Sequence, residues 1–251
     1  MKIQGRIVLK KGREASVKRF HPWIFSGAIF SKDDNLSDGD WVEVKDGWQN
    51  TLGAGHYQNG TIAVRVLSFA DTLPSASLYV EKILAAYNQR LVSKVISNQT
   101  DSYRLVHGEG DGLPGLIIDI YNGVAVMQAH SVGMHRDREM IAQAISTALG
   151  SQITAVFHKN QAISSEKSQN AYLQGMSPVP HIIQEHGHKF YVDWEEGQKT
   201  GFFLDQRENR KLVGEMARGA RVLNTFCYTG GFSVYALNGG AQQVHSVDAS
   251  E

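Results

Sequence analysis

The stretch RVLNTFCYTGGFSVYALNGGAQQVHSVDASE, Arg221 to Glu251, constrains the chain more than any other. Arg221 to Phe226 is a short apolar run that reads as a buried strand, and Cys227 to Gly231 reads as a turn. Phe232 to Leu237 opens a helix that Gly239 and Gly240 stop, and Gln243 to Val247 is a second strand ending at Asp248. Strand, glycine turn, helix, strand and acid in that order describe one βαβ unit of a parallel, Rossmann-like sheet.

Such a unit has a physical use. Gly230 and Gly231 let the backbone approach a ligand closely, and an acid about 20 residues beyond the turn can accept both hydroxyls of a ribose. The turn TFCYTGGFS lacks the G-x-G-x-x-G spacing that seats a pyrophosphate on a helix N-terminus. A ligand with a ribose and no phosphate fits better, and S-adenosyl-L-methionine is the common one. The purely structural alternative is a tight βα turn followed by a polar strand end.

The 251 residues suit one large domain or two to three small ones, and 42% hydrophobic with 20% charged content is that of a soluble globular chain. No apolar run approaches the roughly 18 residues of a membrane span, and MKIQGRIVLKKGRE has no signal-peptide core, so a cytoplasmic location is expected. One cysteine excludes an internal disulfide framework and a multi-cysteine zinc site. Net charge is zero, but Lys2, Arg6, Lys10, Lys11, Arg13, Lys18 and Arg19 face only Glu14 within the first nineteen residues. That local excess is either a phosphate-neutralising surface or a solvated charged edge.

From Ile3 to about Ala70 the pattern is short strands and tight turns: Ile7 to Leu9, Trp41 to Val44, Thr51 to Tyr57 and Ile62 to Leu67. Their alternating apolar positions would close a small β-barrel, with Trp23, Phe25 and Trp41 as core aromatics. Asp71 to Ser77 reads as a linker, and Val80, Ile83, Leu84, Tyr87 and Leu91 repeat at helical spacing beyond it. Leu116 to Ile120 and Val124 to His130 read as strands joined by a tight hairpin turn. Met140 to Leu149 gives a helix face, Ile153 to His158 a strand, and Lys159 to Asn170 a mobile loop. Gly110 to Gly115, GDGLPG, matches the dinucleotide fingerprint in letters but precedes the strand-like LIIDI, so it reads as a turn. Glu109 and Asp111 there are explained as turn residues rather than as a general acid–base pair.

Further on, HIIQEHGHKFYVDWEEG reads as a hairpin whose histidines at i and i+2, His186 and His188, share a strand face. A third metal ligand is missing, and no metal is expected. TGFFLDQRENR couples an aromatic turn to a helix starting at Asp205, with Glu208 at capping-box spacing and Leu212, Val213 and Met216 as its buried face.

The strings NTFCYTGGFSVYAL and VHSVDASE, preceded by GQKTGFFLDQRENR, resemble a bacterial family of S-adenosylmethionine-dependent 23S rRNA (cytosine-C5) methyltransferases that carry an N-terminal PUA domain. HPWIFSGAI with GDWVEV resembles the PUA module, and RLVHGEGDGLPGLIID a recurring piece of the family's middle domain. The resemblance covers the whole chain. It implies a multi-domain fold of α/β and α+β class: a PUA-like RNA-binding β domain over residues 1–72, an α+β middle domain over 73–175, and the opening part of a Rossmann-like methyltransferase sheet over 176–251.

Under that resemblance Asn224, Phe226, Cys227, Tyr228, Thr229, Gly230 and Gly231 shape the cofactor pocket and Asp248 holds the ribose hydroxyls. Thr200, Phe202, Gln206 and Arg207 line the same pocket, and Lys10, Lys11, Arg13, Lys18 and Arg19 bind RNA. The implied partner is 23S rRNA, with no membrane and no metal; a homodimer is the assembly left open. Methylating C5 of cytosine needs a thiolate at C6 and later a base. Cys227 sits in the glycine turn with no cation next to it in sequence, so it is read as small packing beside the cofactor. The family's catalytic cysteine and Asp-Pro-Pro motif follow later strands, so the chain is expected to be a fragment without catalytic residues. The alternatives are a non-catalytic RNA-binding protein with a methyltransferase-like half-domain, and a methyltransferase acting on another base or a small metabolite.

Overall fold

In the computed structural model, residues 1–70, 74–75, 77–160 and 169–249 are described. They form two compact units: residues 1–93, 104–119 and 123–177, and residues 94–103, 120–122 and 178–251.

The first unit begins with β1 (Gly5–Leu9), the single-turn α1 (Ala15–Lys18), β2 (Trp23–Phe25), β3 (Ile29–Lys32), β4 (Trp41–Lys45), β5 (Thr51–Tyr57) and β6 (Ile62–Phe69). They make one six-stranded sheet in the order β2-β6-β5-β4-β1-β3, antiparallel except for the β1–β4 pair. Ile7, Leu9, Val42, Val44, Val64 and Val66, at alternate positions along their strands, meet in its core with Val17 of α1. Trp41 is 4% exposed, as a core aromatic should be. Phe25 is 46% exposed, against expectation, because Ile24 takes the inward position of β2 and the side chain after it points to the opposite face.

The chain continues into α2 (Leu78–Val92), β7 (Ser102–His107), β8 (Leu116–Tyr121), β9 (Val124–Ala129), α3 (Val132–Arg136), α4 (Arg138–Leu149), β10 (Ala155–His158) and β11 (Ala171–Gln174). The sheet order is β11-β10-β9-β8-β7. Asn122 and Gly123 both adopt positive φ, 42° and 87°, which is the turn a two-residue hairpin needs between β8 and β9. GDGLPG is a turn entering β8, with Gly108–Asp111 as a 3-10 segment. Asp111 makes two bonds to Arg90 at 2.5 and 2.7 Å, and Glu109 accepts from Trp23 Nε1 at 2.9 Å, so both carboxylates have structural partners. The linker expected at Asp71 to Ser77 and the loop expected at Lys159 to Asn170 lie largely outside the described residues.

One carboxylate ties this unit together. Asp137, at the start of α4, accepts at a single oxygen from Tyr79 OH at 2.6 Å, Trp41 Nε1 at 3.0 Å and His56 Nε2 at 3.0 Å. Burial alone would raise its pKa, but the bonds from His56, Tyr79 and Trp41 and the charge on His56 together hold it below the ordinary aspartate value.

The second unit holds β12 (His181–Glu185) and β13 (His188–Val192), then α5 (Arg207–Met216), β14 (Arg221–Thr225), α6 (Gly231–Asn238) and β15 (Gln243–Val247). The β12–β13 hairpin forms as expected, but His186 occupies the turn with φ 47° while His188 opens β13, so the two do not share a strand face. β14 and β15 pair in parallel with α6 between them, the βαβ unit read from the sequence. Strand β14 is not buried: Leu223 is 68% exposed, because α6 covers one face of the pair and no described residue covers Leu223 on the other.

Helix α5 departs further from expectation. A 3-10 turn at Leu204–Gln206 places the helix start at Arg207, so Gln206 and not Asp205 is the N-cap, and Asp205 accepts from Gln206 Nε2 at 3.0 Å. Leu212 and Met216 are 53% and 74% exposed. The inward face carries Arg210 and Gly214, four residues apart, because a Cβ at Gly214 would lie 2.9 Å from the Tyr235 carbonyl of α6 and only glycine permits that approach.

Candidate cofactor site

The C-terminal ends of β14 and β15 stand side by side, with Asn224 opposite Ser246 and Thr225 opposite Val247. A small polar ladder fixes α6 over them: Asn224 Nδ2 donates to Ser233 Oγ at 2.8 Å, and Ser233 Oγ lies 2.7 Å from Ser246 Oγ. The two glycines of the turn meet different demands. Gly230 has φ 76° and open space where a side chain would stand, whereas a Cβ on Gly231 would sit 3.0 Å from Arg210 Cδ. Close approach at Gly231 therefore serves packing against Arg210 inside the protein.

Beside Gly230 the backbone is strained. Phe226 and Tyr228 take positive φ, 58° and 48°, a conformation that costs a non-glycine residue about 1–2 kcal/mol each. The turn is pinned by Asp248 Oδ2, which accepts the Tyr228 amide at 2.7 Å, and by the Cys227 amide on the Val247 carbonyl at 3.2 Å. The Tyr228 hydroxyl accepts from the Gln198 amide at 3.1 Å and donates to the Gly201 carbonyl at 3.2 Å, joining the turn to the segment before α5.

Between that segment and the turn lies a cavity of about 530 Å³. Of the residues expected from the sequence, Phe202, Gln206, Phe226, Cys227, Tyr228, Thr229, Gly231 and Asp248 line it. Thr200 does not: it is fully buried, its hydroxyl 2.8 Å from Tyr121 OH. Arg207 instead donates to the Val95 carbonyl at 3.1 Å, Asn224 belongs to the polar ladder, and Gly230 is outside the lining. Gln198, Lys199, Phe203, Asp205, Arg210 and Phe232 line the cavity without having been singled out. The first five lie within GQKTGFFLDQRENR and Phe232 within NTFCYTGGFSVYAL, so the strings marked their segments but not which of their side chains face the cavity.

The cavity fits a nucleoside-bearing ligand. Its volume lies within the usual small-molecule range, aromatic rings wall it, and the Asp248 carboxylate is part of its lining.

In the first unit Lys10, Lys11, Arg13, Lys18 and Arg19 are all exposed, between the end of β1 and the end of α1. Arg13 and Phe25 line an open pocket of about 430 Å³ there, and the Lys11 ammonium stands 5.8 Å from the Trp48 ring centre.

Residues 104–251 match the model of the S-adenosylmethionine-dependent methyltransferase family. The chain belongs to that family. The methyltransferase match takes in the central sheet as well as the cavity, and residues 7–69 match a PUA-like domain. S-adenosylmethionine is thus the cofactor of the family to which this chain belongs. Among curated methyltransferases the chain is similar to ribosomal RNA large subunit methyltransferase I of Salmonella arizonae, 37% identical over 255 residues, covering 98% of this chain and 62% of that protein. The protein of the same name from Aeromonas salmonicida is 39% identical over 252 residues, covering 98% and 63%. The chain therefore spans somewhat less than two thirds of the length of these relatives. Two solved methyltransferases share the fold at 25% identity over the whole chain. One is from Streptococcus mutans, with TM-score 0.80 and 64% of that chain covered; the other, SMU.776 complexed with SAH, has TM-score 0.82 and 63% covered. No helix among the described residues is long and apolar enough to cross a membrane.

Proposed function

We propose that the protein is a cytoplasmic RNA methyltransferase that uses S-adenosylmethionine to methylate C5 of a cytosine in large-subunit rRNA. The cavity at the C-terminal ends of β14 and β15, with Asp248 at its edge, carries the reading. Relatives that are 37–39% identical and named for large-subunit rRNA, and a structural neighbour complexed with SAH, support its substrate and cofactor.

S-adenosylmethionine supplies an electrophilic methyl group on a positively charged sulfur. Asp248 accepts the ribose hydroxyls while it holds the Tyr228 amide. Lys199, on the cavity wall with its ammonium 4.4 Å from the Phe203 ring centre, is the cation for the amino-acid carboxylate. Phe202, Phe203 and Phe232 keep water from the reacting end. Cys227, half-buried in the wall, is assigned to packing, and no residue of this chain is assigned the thiolate role. The exposed basic cluster of the β domain neutralises RNA phosphates.

The test is methyl transfer from labelled S-adenosylmethionine to undermodified large-subunit rRNA by the full-length protein, with the product nucleoside identified by mass spectrometry. Label in 5-methylcytidine is the expected result. Label in another nucleoside removes the cytosine assignment, and cofactor binding with no transfer to RNA favours a small-metabolite enzyme.

A further inference from the structure

One guanidinium reaches three of the elements around the cavity. Arg210, on the inward face of α5, pairs with Glu185 at the end of β12 through Nε at 2.8 Å and Nη2 at 2.7 Å. Its Nη1 donates to the Phe203 carbonyl at 3.0 Å, the guanidinium lies 4.6 Å from the Phe202 ring centre, and its Cδ fills the space that Gly231 leaves at the start of α6. The side chains of the pair are only 3% and 0% exposed, and Tyr235 OH closes the far side by donating to Glu185 Oε1 at 3.1 Å. A buried ion pair is seldom retained for stability alone, because desolvation offsets most of its Coulomb attraction. A further donor of this pair goes to the segment that forms the cavity wall.

We infer that Glu185 and Arg210 are a positioning pair for cofactor binding: they hold Phe202, Phe203 and the Gly231 turn at the spacing the cofactor requires. The inference rests on the cavity being the S-adenosylmethionine site. The arrangement needs the planar fork of arginine, since a lysine cannot bond both carboxylate oxygens and the Phe203 carbonyl from fixed positions.

The experiment separates positioning from stability. In the full-length protein, Glu185→Leu with Arg210→Met removes both charges together and is expected to keep the thermal midpoint near that of the parent. Its affinity for S-adenosylhomocysteine, measured by calorimetry, should nonetheless fall by about tenfold, because the Arg210 bond that fixes the Phe203 carbonyl in the cavity wall is lost. Arg210→Lys carries the test if the double variant does not fold: KM for S-adenosylmethionine should rise several-fold with kcat near the parent value. A folded double variant, or Arg210→Lys, that binds within about twofold of the parent overturns the positioning role. A parent that does not bind S-adenosylhomocysteine removes instead the reading of the cavity on which the inference stands.

Discussion

The rings of His135 and His158 lie 5.2 Å apart, tilted by 52°, in the interior of the first unit. His158 is 1% exposed, and its Nε2 has no hydrogen-bond partner among the described residues. Burial first, then the positive charges of His135 and Arg138, lower its pKa from 6.5 to about 4. The folded protein therefore refuses a proton that the unfolded chain accepts between those values. Stability is fully present above about pH 6.5 and falls as pH drops towards about 4, by on the order of 2–3 kcal/mol. His158→Phe should flatten urea-unfolding free energies over that window, and an unchanged slope would remove His158 as its source.

Asp137 supplies one oxygen to three buried donors, so Asp137→Ala leaves Tyr79, Trp41 and His56 unsatisfied at once. A loss of about 3 kcal/mol at pH 7 is expected, against about 1 kcal/mol for Tyr79→Phe, which removes a single bond. The depressed Asp137 pKa adds stability that is present above the unfolded value near 3.8 and lost as pH falls through the lower folded value. In acid titrations Asp137→Asn should lack that last segment of the stability curve.

Asp248→Ala removes both the proposed ribose acceptor and the acceptor of the Tyr228 amide. S-adenosylhomocysteine affinity should drop by about tenfold or more, whereas Asp248→Asn, which keeps one acceptor oxygen, should lose less. Equal affinities across the series, read by calorimetry, would take Asp248 out of the site.

Replacing Lys10, Lys11 and Arg13 together by glutamine should weaken RNA binding and reduce the slope of log affinity against log salt by roughly 0.7–0.9 per lost phosphate contact. Filter binding across a salt series reads both quantities. A weaker affinity at unchanged slope would point to lost packing at the pocket of Arg13 and Phe25 rather than to lost charge contacts.

The sequence carried the elements better than it carried their faces. β5 and β15 appear at the residues that the apolar alternation and turn signals marked, because both patterns are local. Helix α5 shows the limit. Its apolar residues Leu212 and Met216 suggested the buried side, yet the inward side is set by Arg210 finding Glu185 twenty-five positions earlier and by Gly214 meeting α6. The cavity divides the same way. Phe226 to Thr229 and Asp248 belong to one βαβ motif, and Lys199, Phe203 and Arg210 to the string GQKTGFFLDQRENR; that the two segments face each other across one cavity depends on contacts made only once the chain has folded. Thr200 and Arg207 sit in the right segment but turn away from the cavity, since which side chain of a turn faces inward depends on the 3-10 geometry at Leu204–Gln206.

The convergence on Asp137 also bears on how the first unit comes apart. Trp41 lies on β4, His56 on β5 and Tyr79 on α2, so no one of these elements can open without abandoning a carboxylate shared with the other two. Their amides belong to one foldon, and native-state hydrogen exchange in β4, β5 and α2 should converge on a single opening free energy. The domain boundary that the resemblance implies at residue 72 would then fall inside one cooperative unit.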